Sequence, residues 1–164
     1  MDNLISYEGA ALKKFKHYIA INALKGVDCP CCAQKVKIQE RKYMFKDALC
    51  LLELVANTKL GEAIHVSDLC KLSPIFAENC RGGSFFKTRF FGVIEEGEGS
   101  GTWKYTEKGL KFLQGECEIS PTIRTYNRKF IGKDKEELSI FDLKGGEQLY
   151  LKLVGMNINI SQGR

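Results

Sequence analysis

The sequence has no long apolar run, and it contains few histidines and prolines. No stretch approaches the roughly 20 apolar residues that a membrane-spanning helix needs, and residues 1–18 lack the uninterrupted apolar segment of a signal peptide. We therefore expect a cytoplasmic protein without a membrane partner, in which thiols are kept reduced. Its seven cysteines are an odd number, well below the density of a disulfide scaffold. An isolated cysteine is therefore expected to be a small buried residue.

The sequence also lacks the residue patterns of a known type of active site. Neither of its two histidines, His17 and His65, stands in a catalytic motif, and no GxSxG, Walker or HExxH pattern occurs. The run at 97–101 resembles a phosphate-binding loop only in its glycine content, and Glu98 within it would repel phosphate. We predict that the protein is not an enzyme, that His65 caps a helix or packs in the core, and that Trp103 packs on the core.

Positive charge is concentrated in the first third of the chain. The net charge is +5, and residues 1–46 alone hold nine Lys/Arg against four Asp/Glu, an excess as large as that of the whole chain. Such a concentration of cations attracts phosphate backbones. The alternative is an ordinary basic helix face in contact with water.

Hydrophobic spacing predicts helices over residues 7–24 and 43–56. The second has the stronger apolar stripe, so we expect it at the centre of the core. A Cys/Pro turn and a short strand pattern lie between the two. Capping residues, proline and glycines mark the elements that follow. They are a short helix capped by Ser67, a segment beginning at Pro74, a helix from Ser84 to Gly92, hairpins over 93–105 and 119–132, and a helix capped by Thr106.

The order of helix, short helix, helix, hairpin and helix is typical of a winged helix-turn-helix. We predict an α+β fold in three parts. Residues 1–42 form a basic helix and a cysteine knuckle, residues 43–116 a winged helix-turn-helix-like core, and residues 117–164 a small β-rich C-terminal extension packed on the core. Within the extension, 138–141 and 149–151 fit either short strands or a helix. In winged folds the helix before the wing is available for a major groove.

Five runs between residues 27 and 145 resemble an uncharacterised family encoded by phages and prophages. In chain order they are CPCCAQKVKIQERKY, IHVSDL, FFKTRFFGVIEE, GTWKYTEKGLKFLQG and SPTIRTYNRKFIG. The matching positions are Cys29, Pro30 and Cys32, then Gly92, Val93 and Ile94, then Trp103, Thr106 and Gly109, then Tyr126 and Asn127. The Trp-to-Gly junction and its distance from the knuckle are the specific parts. The resemblance implies a winged-helix-like fold and a phage context, and it implies no established activity.

The sharpest local motif is Cys29-Pro30-Cys31-Cys32. Cys29 and Cys32 have the spacing that lets a tight turn present two sulfurs to one tetrahedral metal ion, and Cys31 could replace either of them. We predict one structural zinc. Its other ligands would come from a second chain in a homodimer, or from distant residues: His17, Cys50, His65, Cys70, Cys80 and Cys117. A metal-free turn and a redox pair are the alternatives, and the redox pair lacks its usual βαβ context.

The segment before the first hairpin combines cations with four phenylalanines. We expect the phenylalanines to pack in the core, while the cations contact either nucleic acid or water. The predicted contacts to phosphates and bases are Arg81, Ser84, Lys87, Thr88 and Arg89, and backbone attraction is predicted from Lys13, Lys14, Lys16, Lys35 and Lys37.

Three acidic residues in the first hairpin oppose a simple DNA-binding wing. Glu95, Glu96 and Glu98 lie beside the predicted groove-facing segment and would repel phosphate. They favour a protein partner, or a hairpin turned away from DNA. Two functions stay open: a phage accessory or regulatory protein that binds nucleic acid, and a non-enzymatic protein-interaction adaptor on the same scaffold. Salt dependence distinguishes them, because only phosphate contacts require a steep loss of affinity with salt.

Overall fold

The structure is a computed structural model that describes residues 13–30 and 32–156. The helices are α1 (residues 13–22), α2 (Phe45–Asn57), α3 (Val66–Leu72), α4 (Pro74–Asn79), α5 (Glu107–Leu113) and α6 (Gly146–Gly155), with 3₁₀ segments at Arg81–Phe91 and Ile140–Asp142. In this part of the chain, no helix is long and apolar enough to cross a membrane.

The strands form three small sheets, so the fold is mixed α+β, as predicted. The strands are β1 (Val27–Asp28), β2 (Lys35–Val36), β3 (Gln39–Lys42), β4 (Ile64–His65), β5 (Ile94–Glu96), β6 (Thr102–Tyr105), β7 (Thr122–Tyr126) and β8 (Lys129–Lys133). The sheet orders are β1–β2, β3–β7–β8 and β4–β6–β5. Both predicted hairpins are therefore present.

The chain divides into two compact units. Unit 1 comprises Met1–Arg41 and Arg124–Gly132, and unit 2 comprises Lys42–Ile123 and Lys133–Arg164. This division differs from the predicted one, because the extension predicted over 117–164 is split. The tip of its hairpin belongs to unit 1, and the remainder belongs to unit 2.

Helix α2 lies at the centre of the core of unit 2, which confirms the prediction from its apolar stripe. Leu51, Leu52 and Leu54 are fully buried, and aromatic side chains from α4, α5 and the Arg81–Phe91 segment belong to the same cluster. The helix begins after Met44, whose backbone N–H donates to the Asp47 carboxylate at 2.9 Å. This bond satisfies a backbone donor that the first turn would otherwise leave unpaired.

A buried carboxylate on α2 fixes the turn between α3 and α4. The Ser73 hydroxyl donates to Glu53 Oε2 at 2.8 Å, and Ser73 Oγ accepts from the Phe76 N–H at 3.0 Å as the cap of α4. Lys152 Nζ of α6 lies 3.6 Å from the other oxygen of Glu53. Three helices are thus tied to one side chain.

The strand β4 places His65 at the start of α3. Its Nδ1 accepts from the Ser67 N–H at 3.2 Å, and the pairing of Ile64 with Trp103 and of His65 with Thr102 holds the entry to the helix extended. The capping role predicted for His65 is confirmed. The cap predicted at Ser67 is wrong, since the cap is His65, two residues earlier, and the helix begins at Val66.

The junction from β6 to α5 explains the Trp-x-x-Thr-x-x-Gly motif. Thr106 caps α5 by accepting from the Gly109 N–H at 3.0 Å, and its own hydroxyl donates to the Gly92 carbonyl. A β-carbon on Gly109 would overlap the carbonyl oxygen of Val93. Trp103 is buried and stacks on Phe86 at 5.0 Å, which confirms that it packs on the core. These motif residues therefore serve to join the hairpin to α5.

The C-terminal extension is less β-rich than predicted. Residues 149–151, which fit a strand or a helix, belong to α6, where Leu149 and Leu153 are buried one helical turn apart. A short apolar run does not distinguish a strand from a helix by its spacing. Burial against the core of unit 2 decides in favour of the helix.

Candidate nucleic-acid interface

The segment Arg81–Phe91 begins with a kink and then turns its phenylalanines inward. Gly82 and Gly83 have φ values of 78° and 69°, so the chain turns sharply before the following 3₁₀ residues. Phe85 and Phe91 are buried, and Phe86 and Phe90 pack against the core at its edge. The core role predicted for the four phenylalanines is confirmed.

Burial removes Thr88 from the predicted nucleic-acid contacts. Its side chain is fully buried, and its hydroxyl donates to the Phe85 carbonyl three residues earlier. The prediction for Thr88 is wrong, because a hydroxyl in this position satisfies the backbone of its own turn. Ser84 is half-buried.

The hairpin glutamates are partly neutralised by cations of unit 2 itself. Arg89 Nη1 lies 2.8 Å from Glu96 Oε1, and Lys104 Nζ lies 3.3 Å from Glu95 Oε1. The Arg89 guanidinium also lies 4.9 Å from the ring centre of Phe90. Exposed ion pairs of this kind contribute at most about 1 kcal/mol, so a phosphate can displace Glu96 at small cost. The hairpin therefore repels DNA less strongly than its glutamates alone would, and Arg81 and Lys87 are exposed in the segment that precedes it.

The predicted backbone-attracting lysines all lie on unit 1 and are all exposed. Lys13, Lys14 and Lys16 are on α1, whereas Lys35 and Lys37 are in and just after β2. The end of α1 is held to the strand region by the Ile38 N–H, which donates to the Ala23 carbonyl at 2.8 Å. Two of the predicted clusters of cations are thereby brought onto one small unit.

Sequence reasoning missed a third cluster, on the hairpin of β7 and β8. Arg128 and Lys129 at its tip are exposed, and Arg124 bonds to Glu40 of the same unit at 2.9 Å. A signal was available in the sequence, because residues 124–132 contain three cations and no acidic residue. Their membership of unit 1 was not, since they lie more than 80 residues from the knuckle.

The cysteine knuckle is a tight turn closed by its own backbone. The Ala33 N–H donates to the Cys29 carbonyl, and the Cys29 N–H donates to the Gln34 carbonyl, both at 2.8 Å. Val27 pairs with Val36 on either side of this turn. Cys32 is exposed and Cys29 half-buried, while Cys31 lies outside the described residues.

The other predicted zinc ligands have different environments. Burial raises the pKa of Cys50 to about 12 and that of Cys80 to about 11, which disfavours the thiolate that a metal needs. Cys70 and Cys117 are half-buried against the core of unit 2, as expected for small apolar residues, and His65 caps α3. Among the residues that the structure describes, no group of three or more His, Cys, Asp or Glu is arranged to hold a metal ion.

The zinc stays a prediction, and metal analysis tests it. Protein purified without chelator is expected to contain about one zinc per chain, and the double variant Cys29→Ser/Cys32→Ser is expected to lose it. Cys117→Ser is the matched control and should keep the metal, because that thiol packs against the core and donates to the Lys108 carbonyl at 3.4 Å. A wild-type protein free of zinc would contradict the prediction.

Comparisons of this chain with protein-family models, with curated proteins and with solved structures find no match.

Proposed function

We propose that this chain is a phage- or prophage-encoded accessory or regulatory protein that binds nucleic acid and is not an enzyme. The observation that carries the proposal is the division of charge between the units. Unit 1 holds ten Lys/Arg against four Asp/Glu, a net charge of +6, which leaves fifteen against sixteen, a net charge of −1, on unit 2. A small unit with such an excess attracts a polyanion.

The topology of unit 2 supports a winged helix-turn-helix core. The strand β4, between α2 and α3, pairs with β6, and β6 pairs with β5 of the hairpin. A winged helix requires this arrangement of one early strand and a later hairpin in a single sheet. The Arg81–Phe91 segment precedes the hairpin, where winged folds carry the groove-facing helix. Arg81, Lys87 and Arg89 would supply its contacts.

Unit 1 would supply most of the affinity, and the core would orient the complex. Each phosphate that a lysine or arginine neutralises releases condensed counterions, so affinity falls steeply with salt. Eight cations of unit 1 are exposed: Lys13, Lys14, Lys16, Lys25, Lys35, Lys37, Arg128 and Lys129. Binding through phosphates has little sequence preference. Contacts from the Arg81–Phe91 segment to base edges would add sequence preference.

The test is binding of a fluorescently labelled, random-sequence DNA duplex, measured by anisotropy. Wild-type protein is expected to bind in the micromolar range at about 50 mM salt and at least tenfold more weakly at about 200 mM. Lys35→Glu/Lys37→Glu is expected to weaken binding at low salt about tenfold, because both side chains are exposed on unit 1.

The matched control is Lys135→Glu/Lys144→Glu, which changes the net charge equally but on exposed positions of unit 2. It is expected to change affinity less than threefold. Absence of binding at low salt would sink the proposal. Equal losses in the two double variants would show a general charge effect and would contradict a surface on unit 1.

A protein-interaction adaptor is the second candidate, and one observation favours it. Helix α6 exposes Leu151 and Val154, three residues apart on one face, and Phe141 is half exposed nearby in sequence. Apolar side chains that share an exposed helix face often mark a protein interface. An adaptor of this kind would associate with a protein partner, and raising the salt concentration would not abolish that association.

A further inference from the structure

The hairpin of β7 and β8 has an unusual residue at its tip. The strands end at Tyr126 and begin again at Lys129, so the turn contains two residues, Asn127 and Arg128. Their φ values are 48° and 63°, which is the pattern of a type I′ turn. Asparagine fits the first position, whereas the second strongly favours glycine, because a β-carbon is strained at positive φ.

An arginine in a position suited to glycine indicates a use for its side chain. Arg128 is exposed, and its side chain is not needed for the turn, which glycine would form with less strain. Strain of this kind points towards function when the surroundings supply a chemical reason. Here the reason is charge: Arg128 and Lys129 are adjacent exposed cations at the tip, and residues 124–132 contain no acidic residue.

The strand β8 is exposed on both of its faces near the tip, whereas most of β7 is buried. Successive residues of a strand point to opposite faces, and Lys129, Phe130 and Ile131 are all exposed. The strand β8 is the outer strand of its sheet, beyond β7. Within the described part of the chain, the N-terminal end of this strand is therefore exposed on both faces.

We infer that this hairpin is a DNA-binding arm, with Arg128 and Lys129 at its tip as contacts to phosphate. The inference rests on the proposed function and names a further binding element and its ligand. Because β7 also pairs with β3, only the tip of the hairpin, from Tyr126 to Lys129, can enter a groove. A two-stranded tip fits the major groove of B-form DNA, whereas the deep, narrow major groove of A-form RNA excludes it. The arm therefore favours a DNA duplex over an RNA duplex of the same sequence.

The decisive variant is Arg128→Gly, because glycine removes the charge and fits the turn. Its melting temperature is expected to equal or exceed that of the wild type. Its affinity for a labelled DNA duplex of about 20 base pairs is expected to fall about fivefold, with the slope of log affinity against log salt reduced by about one. Higher stability with weaker binding is a combination that loss of folding cannot produce.

The matched control is Asn127→Gly, which changes the neighbouring turn residue to glycine and leaves the charge unchanged. It is expected to bind as the wild type does. Equal losses in Arg128→Gly and Asn127→Gly would overturn the inference, because turn flexibility and not charge would then be responsible.

Two further outcomes separate this inference from the proposed function. If Arg128→Gly binds like the wild type while Lys35→Glu/Lys37→Glu loses affinity, the hairpin is not an arm, and the proposed function stands. If the wild-type protein binds no DNA duplex at about 50 mM salt, both fail. Equal affinity of the wild type for DNA and RNA duplexes would contradict insertion of the ribbon into a major groove.

Discussion

Gly109→Ala is expected to destabilise the protein by about 2 to 3 kcal/mol, although the same change in most helices stabilises. Glycine within a helix normally costs up to about 1 kcal/mol relative to alanine. Here a β-carbon would overlap the Val93 carbonyl oxygen, which belongs to the backbone and cannot move aside like a flexible side chain. Overpacking at a rigid contact of this kind costs a few kcal/mol. Thermal unfolding should show a melting temperature lower by about 5 to 10 °C.

The control for Gly109 is Gly155→Ala. Gly155 ends α6, and a β-carbon there would meet nothing within 4 Å. Its melting temperature is expected to stay unchanged or rise slightly, as helix propensity alone predicts. A rise of the same size in Gly109→Ala would show that α5 does not approach Val93 closely.

Phe85→Ala is expected to cost about 3 to 5 kcal/mol of unfolding free energy. Phe85 is 1% exposed and lies edge-on to Phe76 at 5.3 Å and to Phe86 at 5.8 Å. Truncation to alanine removes a buried aromatic ring and leaves a cavity among the neighbouring rings. Chemical denaturation should show a lower midpoint with little change in slope.

The same variant distinguishes a core role of Phe85 from a role in stacking on nucleic-acid bases. Phe141→Ala removes the same group from a side chain that is 51% exposed and should cost less than about 1 kcal/mol. If Phe85→Ala instead kept its stability and lost affinity for DNA, the phenylalanines before the hairpin would be a binding platform. That outcome would contradict their assignment to the core.

The elements with strong local signals were predictable from the sequence. The apolar stripe of residues 43–56 predicts helix α2, and Thr106 marks the start of α5 because threonine is a good cap. The glycine-rich loop marks the first hairpin, and Asn127 marks the second. Each of these signals lies within a few residues, so the element can be predicted without knowing the structure of the remainder of the chain.

The candidate site was only partly predictable for the same reason. The lysines of the first 46 residues are visible as a local excess of charge, and they are exposed as expected where the structure describes them. Thr88 is a residue type that often contacts nucleic acid, yet the structure buries it completely. The pairing of Arg89 with Glu96 likewise requires the hairpin to fold beside the preceding segment.

The sequence by itself determined the helices α2, α3 and α5, the hairpins and the excess of positive charge, because spacing, capping residues and composition are local properties. Only the tertiary structure decided that α6 is a helix, that His65 rather than Ser67 caps α3, and that Arg124, Arg128 and Lys129 belong with the knuckle. These outcomes depend on strand pairing and burial between residues far apart in the chain. The free energy of such contacts depends on residues far away in the chain, which no local sequence pattern identifies.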